Sequence, residues 1–271
     1  MHKACVAAAC VVLSLPAFAQ TQTGATTSRA TSGQDRLFLT FAEEAATVPH
    51  QWWEAQLEFF DGDPADATLL RGIVAMQPWK NVELGGRLGF GSTDASGDLP
   101  EGSGATDLDL WGKWHFGAVN AQTEFAAGAI ATVPTGDDSA GLGDDSFDIA
   151  GFASARFRTD SVIFSGVAGI RFNGDGQVYG GEDAPFGFET QGETSVLLAG
   201  GALYPLSDVL TLTGEVRFES ERVDGLDSDV RLAAGANWRP WNRGMLRGAL
   251  VIGLSDGAPD AQVLLGYAYT F

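Results

Sequence analysis

The chain has 271 residues, of which 45% are hydrophobic and 10% aromatic, with 36 glycines; this composition excludes a disordered polymer over most of its length. A formal net charge of −19 argues against general affinity for nucleic acid or anionic surfaces. No continuous apolar run reaches the roughly 18 residues that a spanning helix needs.

Residues 1–19 read as a secretory signal peptide. His2 and Lys3 give a weakly positive start, an apolar run follows from Ala4, and Ala17-Phe18-Ala19 supplies a small-x-small cleavage site. The apolar run ahead of Cys10 is too short for a lipoprotein site. Both cysteines, Cys5 and Cys10, fall in this leader, so the mature chain enters an oxidising compartment without a thiol. It must then be held by its core or by sheet closure. Residues 20–48 are expected to form a periplasmic N-terminal linker. Its first part, 20–34, is rich in Thr, Ser and Gly and reads as disordered. Its second part, 35–48, holds an apolar cluster of Leu37, Phe38, Leu39 and Phe41, expected to pack near a barrel mouth.

From residue 49 onward the chain settles into period two. Twelve stretches place an apolar or small side chain at every second position: 53–59, 70–76, 82–90, 108–116, 125–133, 147–157, 162–172, 196–204, 210–218, 230–238, 246–254 and 261–271. The opposite parity carries the charge. Its acids are Glu54, Glu58, Glu83, Asp107, Asp109, Glu124, Asp148, Glu215 and Glu219. Its bases are Arg71, Arg87, Lys113, Arg156, Arg158, Arg171, Arg217, Arg231, Arg239 and Arg247. In a soluble sandwich the charged face would meet water; in a membrane barrel the apolar face meets lipid and the charged face lines the lumen.

The connections separate these two readings. Those at 78–81, 117–120, 159–160, 205–208 and 240–243 are short, whereas those at 61–66, 92–104, 134–146, 173–192, 223–229 and 255–260 are mostly longer and acidic. Alternation of short turns and longer loops is the signature of a closed, antiparallel, up-and-down transmembrane β-barrel of about twelve strands. That all-β fold is expected over 49–271, in the bacterial outer membrane. Aromatic positions agree. Trp52, Trp53, Trp79, Trp114, Trp238, Trp241, Phe116, Tyr204, Tyr269 and Phe271 map to the short-turn rim. Phe59, Phe90, Phe172 and Phe218 map to the loop rim, as two interfacial belts require. Trp111 departs, since its parity points inward. The final strand, with Tyr269 and Phe271 on one face, resembles the closing strand of bacterial outer-membrane barrels. In those proteins the terminal aromatics are the assembly signal read by the barrel-assembly machinery.

The charged parity predicts a nearly neutral lumen, with the negative surplus left to the loops. Such a wall suits a narrow hydrated pore whose charges steer solutes. It suits equally a barrel filled by its own side chains. The Asp137-Asp138 and Asp144-Asp145 pairs share one glycine-containing loop, but calcium-hand spacing is absent, and a solvated acidic loop is expected rather than a metal site. The mature chain retains only His50 and His115, and the inward placement of His115 near the short turns argues against catalysis. No catalytic residue, metal or cofactor is assigned, and the chain is not read as an enzyme.

One stretch carries a more specific signal. Gly102-Ser-Gly-Ala-Thr-Asp107, leading to Lys113, is followed one hairpin later by Val133-Pro-Thr-Gly-Asp137 and Leu142-Gly143-Asp144-Asp145. These motifs resemble those of the outer-membrane family named after the meta-pathway of phenol degradation. Thr106 stands where Gly is usual before the Asp, and Gly143-Asp144 replaces the commoner Gly-Thr-Gly. The resemblance is specific only around 102–145 and implies an uptake channel, in some relatives encoded beside aromatic-degradation enzymes. The leading functional expectation is passive uptake of small molecules, hydrophobic or aromatic compounds among them. Its partners would be outer-membrane lipids, the barrel-assembly machinery and small-molecule solutes, with no nucleic acid. The alternative is a non-conducting barrel that acts structurally or through its acidic extracellular loops.

Overall fold

The computed structural model describes residues 35–48, 50–62, 65–95, 101–118, 122–178 and 188–271. The expected signal peptide (1–19) and the Thr/Ser/Gly stretch 20–34 lie outside the described residues. In chain order the strands are β1 (Gln51–Asp61), β2 (Ala65–Trp79), β3 (Val82–Ala95), the short β4 (Gly102–Ala105), β5 (Leu108–Ala118), β6 (Thr123–Val133), β7 (Asp148–Arg158) and β8 (Ile163–Phe172). They continue with the short β9 (Gly176–Val178) and β10 (Phe188–Thr190), then β11 (Thr194–Pro205), β12 (Leu210–Glu219), β13 (Asp229–Trp238), β14 (Gly244–Gly253) and β15 (Ala261–Thr270).

The twelve long strands each pair antiparallel with their neighbours in the chain, and β1 pairs with β15 to close the barrel. At the seam Trp53 faces Tyr269 and Phe59 faces Val263. Closure gives every wall strand two partners, which removes the unpaired edges that a bilayer would not tolerate. Alternation along the strands inverts the usual soluble pattern. Leu70 is 57% exposed and Phe90 61%, while Glu83 is 0% exposed. Large apolar side chains on the outside and carboxylates on the inside make sense only when the outer solvent is lipid.

Three local departures from the sequence reading have physical causes. β2 continues through Pro78 to Trp79, with a register shift between Met76 and Trp79, because proline cannot donate to the ladder and a bulge absorbs it. β3 runs on to Ala95 and pairs with β4, so the expected loop 92–104 begins and ends as a hairpin. Its Gly, Ser and Thr residues carry no apolar parity, and the pattern that marks lipid-facing strands is lost there. Trp52 is not part of the lipid-facing belt. It follows the charged parity and is wholly buried inside the barrel, as Trp111 nearly is.

At the short-turn rim the aromatic belt is built by contact. The Phe271 ring lies 4.8 Å from Tyr269 and 6.2 Å from Trp53, and Trp241 lies 6.2 Å from Tyr267, all edge-on. Phe271 sits past the end of β15, and its amide makes one backbone bond, to the Gln51 carbonyl at 3.3 Å. Deleting Phe271 should therefore lower the yield of folded barrel in cells several-fold while scarcely changing the thermal stability of the barrel that does fold. Heat-modifiable migration of membrane fractions and of purified protein measures both, and an unchanged yield would remove Phe271 from the assembly signal.

Candidate functional site: an occupied lumen

Residues 35–48, expected near the barrel mouth, fold as a loop inside it. The segment enters from the short-turn end, where the Asp35 carboxylate accepts from Thr211 at 3.1 Å and pairs with Arg239 at 3.1 Å. It rises to Phe38 and Leu39, whose N–H groups donate to Glu215, the second at 2.9 Å. It then returns to Val48, whose N–H donates to Glu83 at 2.7 Å, and runs into β1. Its apolar cluster is buried against the wall: the Phe41 ring lies 5.5 Å from Trp52 and 6.1 Å from Trp111. A Cβ on Gly201 would come within 2.8 Å of Leu37, and one on Gly235 within 2.8 Å of Phe38. Two wall glycines thus make the room that these side chains occupy.

In the short-turn half, wall charges meet plug charges. Glu83 takes the Arg36 guanidinium on both oxygens at 3.2 and 3.3 Å, Lys113 at 3.1 Å and the Trp111 indole N–H at 3.1 Å. Lys113 also donates to the carbonyls of Glu44 at 2.7 Å and Ala46 at 2.8 Å. Arg156 pairs with Glu44 at 3.1 Å. Arg247 joins Glu54 at 2.6 Å and donates to the carbonyls of Arg36 and Leu37 at 3.0 and 2.9 Å. The side chains of Arg36, Glu44, Glu83 and Lys113 are fully buried, so the lumen is packed at this level. Ions removed so completely from water persist only because each meets an opposite charge and several dipoles.

The loop half is wetter. Arg71 pairs with Glu58 at 3.1 Å, and Gln262 also donates to Glu58. Arg87 donates to Asp109 through Nε at 2.9 Å, with Thr132 on the other carboxylate oxygen at 2.7 Å. Arg171 and Arg217 both reach Glu219 at 3.0 Å, and Arg231 donates to Asp229 at 2.8 Å. At the short-turn rim Glu124 lies 3.7 Å from His115 and 3.9 Å from Arg158. The residues read as one inward parity are thus engaged across strands, along a strand or with the plug, at two depths and with different access to water.

Asp107 is the exception and corrects the inward assignment. β5 starts only at Leu108, so Asp107 sits in the connection after β4 and not on the wall. Its Oδ1 accepts N–H bonds from Thr135 at 3.0 Å and Gly136 at 2.8 Å, which lashes the 134–146 loop to this connection. Burial pushes the Asp107 carboxyl above the usual carboxylate range, partly offset by amide donors including Gly136 and Thr135. Sequence reasoning missed Asp35, Arg36, Glu43, Glu44 and Arg222. For the first four the available signal was two charged dipeptides flanking an aromatic cluster, which is too apolar a pattern for a solvated linker. Arg222 belongs to no strand, and strand parity could not reach it.

No family model matches the chain, and no curated protein matches it. Solved structures do match its fold. An outer-membrane channel from Pseudomonas putida F1 aligns at 19% identity over 84% of this chain and 98% of that one, with a TM-score of 0.67. The KdgM porin in complex with disordered oligogalacturonate aligns at 10% identity over 81% and 99%, with a TM-score of 0.57. The NanC porin aligns at 9% identity over 81% and 100%, with a TM-score of 0.56. At such identities the likeness is one of fold. Together with the apolar exterior and closed wall, that fold makes the chain a bacterial outer-membrane barrel.

Glu83 is the acid that the plug depends on. Glu83→Gln leaves Arg36 and Lys113 without their shared charge and should weaken plug seating by roughly 3–5 kcal/mol. Trypsin should then cut after Arg36 in a barrel whose heat-modifiable migration is intact, whereas wild type resists. Equal resistance in the folded variant would show that the plug is held by other contacts.

Proposed function

We propose that this barrel is an outer-membrane channel for passive uptake of small molecules, hydrophobic or aromatic compounds among them, closed at rest by residues 35–48. One observation carries the reading. What closes the lumen is a segment continuous with the N-terminal extension, held by ion pairs, by hydrogen bonds to its own backbone and by the packing of Leu37, Phe38 and Phe41 against the wall. A barrel built only as a structural element could fill its interior with wall side chains, as smaller barrels do. Here the wall instead presents glycines and charged groups that receive a separate piece of chain.

The channel and porin folds that match the chain support this reading. So does the resemblance of 102–145 to the family of the meta-pathway of phenol degradation, to which we assign the chain. In that stretch the Asp107 carboxylate joins the two motif halves by accepting the amides of Thr135 and Gly136. The second reading, a non-conducting barrel, is favoured by the complete burial of the Arg36–Glu83–Lys113 cluster.

Planar-bilayer recording decides between the two. Wild type should show rare, brief openings, and a variant lacking residues 35–48 should conduct steadily. A folded deletion variant that carries no current would leave the non-conducting reading standing.

A further inference from the structure

On the loop side of the plug, three guanidiniums converge on two wall carboxylates. Glu219 holds Arg171 at 3.0 Å, Arg217 at 3.0 Å and Arg222 at 3.8 Å. Asp148 holds Arg222 at 2.6 Å and Arg171 at 4.0 Å. Arg222 also donates to the Asn173 side-chain oxygen at 3.1 Å. The wall alone therefore leaves this cluster one negative charge short. The missing charge comes from the plug: Glu43 approaches Arg217 at 3.5 Å, while the Leu39 carbonyl accepts from the same guanidinium at 2.8 Å.

Exposure within the cluster is uneven. The wall acids Asp148 and Glu219 are only 3% and 5% exposed, whereas Arg171, Arg217 and Arg222 are 12%, 15% and 42% exposed. What the outer lumen offers a solute at this point is guanidinium. Beside Glu43 and Arg171, Ile130, Ala150, Phe152 and Leu197 are buried and packed together.

We propose that Arg171, Arg217 and Arg222 form a carboxylate-binding site that Glu43 occupies at rest, and that a small organic carboxylate takes its place. The carboxylate would receive guanidinium donors, the geometry that arginine serves best. Because Glu43 belongs to the plug, solute and plug compete for one site, and occupancy by solute removes the hold on the plug tip in this half of the barrel. The acidic loops oppose an anion only over about a Debye length, roughly 8–10 Å at physiological salt. The gating half of this inference rests on the channel reading; the binding half does not.

The test is calorimetric titration of the full-length refolded barrel with benzoate, with benzyl alcohol as a neutral control. Folding of each variant is checked by heat-modifiable migration. Wild type should bind benzoate and not benzyl alcohol. Glu43→Gln, which removes the resident competitor, should bind benzoate about tenfold more tightly. Arg217→Gln should bind it about tenfold more weakly, the size of effect that one charge-assisted hydrogen bond carries. A merely structural role would weaken binding in both variants. Equal binding of benzoate and benzyl alcohol, or shifts of the same sign in both variants, would overturn the proposal. In bilayers, benzoate should raise the open probability of wild type and not that of Arg217→Gln. Benzoate binding without current would sink the channel reading and leave the site intact; current without benzoate binding would do the reverse.

Discussion

Lipid on the outside dictates where every charge in this barrel can go. A closed wall of twelve strands meets hydrocarbon on one face, so the ionised side chains of those strands are confined to the other. The lumen is too small to hydrate all of them, and unpaired buried ions are prohibitively costly. The interior must therefore be neutral to within a charge or so, pair by pair. Arg71 with Glu58, Arg87 with Asp109 and Arg247 with Glu54 meet this condition between wall strands alone.

The wall does not satisfy it everywhere. Lys113 finds its one wall carboxylate, Glu83, already engaged by Arg36, and fills its remaining donors with the Glu44 and Ala46 carbonyls. Arg156 depends on Glu44, and Glu215 spends both oxygens on the amides of Phe38 and Leu39. Plug and wall are thus one electrostatic unit in the short-turn half. The same interface also buries Leu37, Phe38 and Phe41 against apolar wall residues, so its separation would expose both charged and apolar surface. On the loop side of the plug, Glu43 and the Leu39 carbonyl reach the guanidinium cluster.

Much of this was legible residue by residue. Period two with charges confined to one parity places Glu54, Glu83, Lys113, Arg156 and Arg247 inside without reference to coordinates. The alternation of short and long connections then selects a membrane barrel over a soluble sandwich. Legibility stops where lipid stops. β4 and the upper part of β3 are strands without an apolar face, so parity does not mark them. Asp107 shares the parity of Asp109 but precedes the strand, and it serves the loop instead of the wall. Trp52 looked like a belt residue from its position at a strand end, yet its parity already matched that of Glu54, and parity was the better guide.

By itself, the sequence determined the number of wall strands, their up-and-down order and the side that faces lipid. All of these are local consequences of a two-residue repeat in contact with oil. Only the tertiary structure decided that residues 35–48 belong inside the barrel. A fourteen-residue segment with no repeat of its own has no local preference strong enough to read, and its place is set by charges that become neighbours when strands far apart in sequence close into a ring. The same closure brings Arg171, Arg217 and Arg222 around Glu219 and leaves to Glu43 the last carboxylate that the cluster needs.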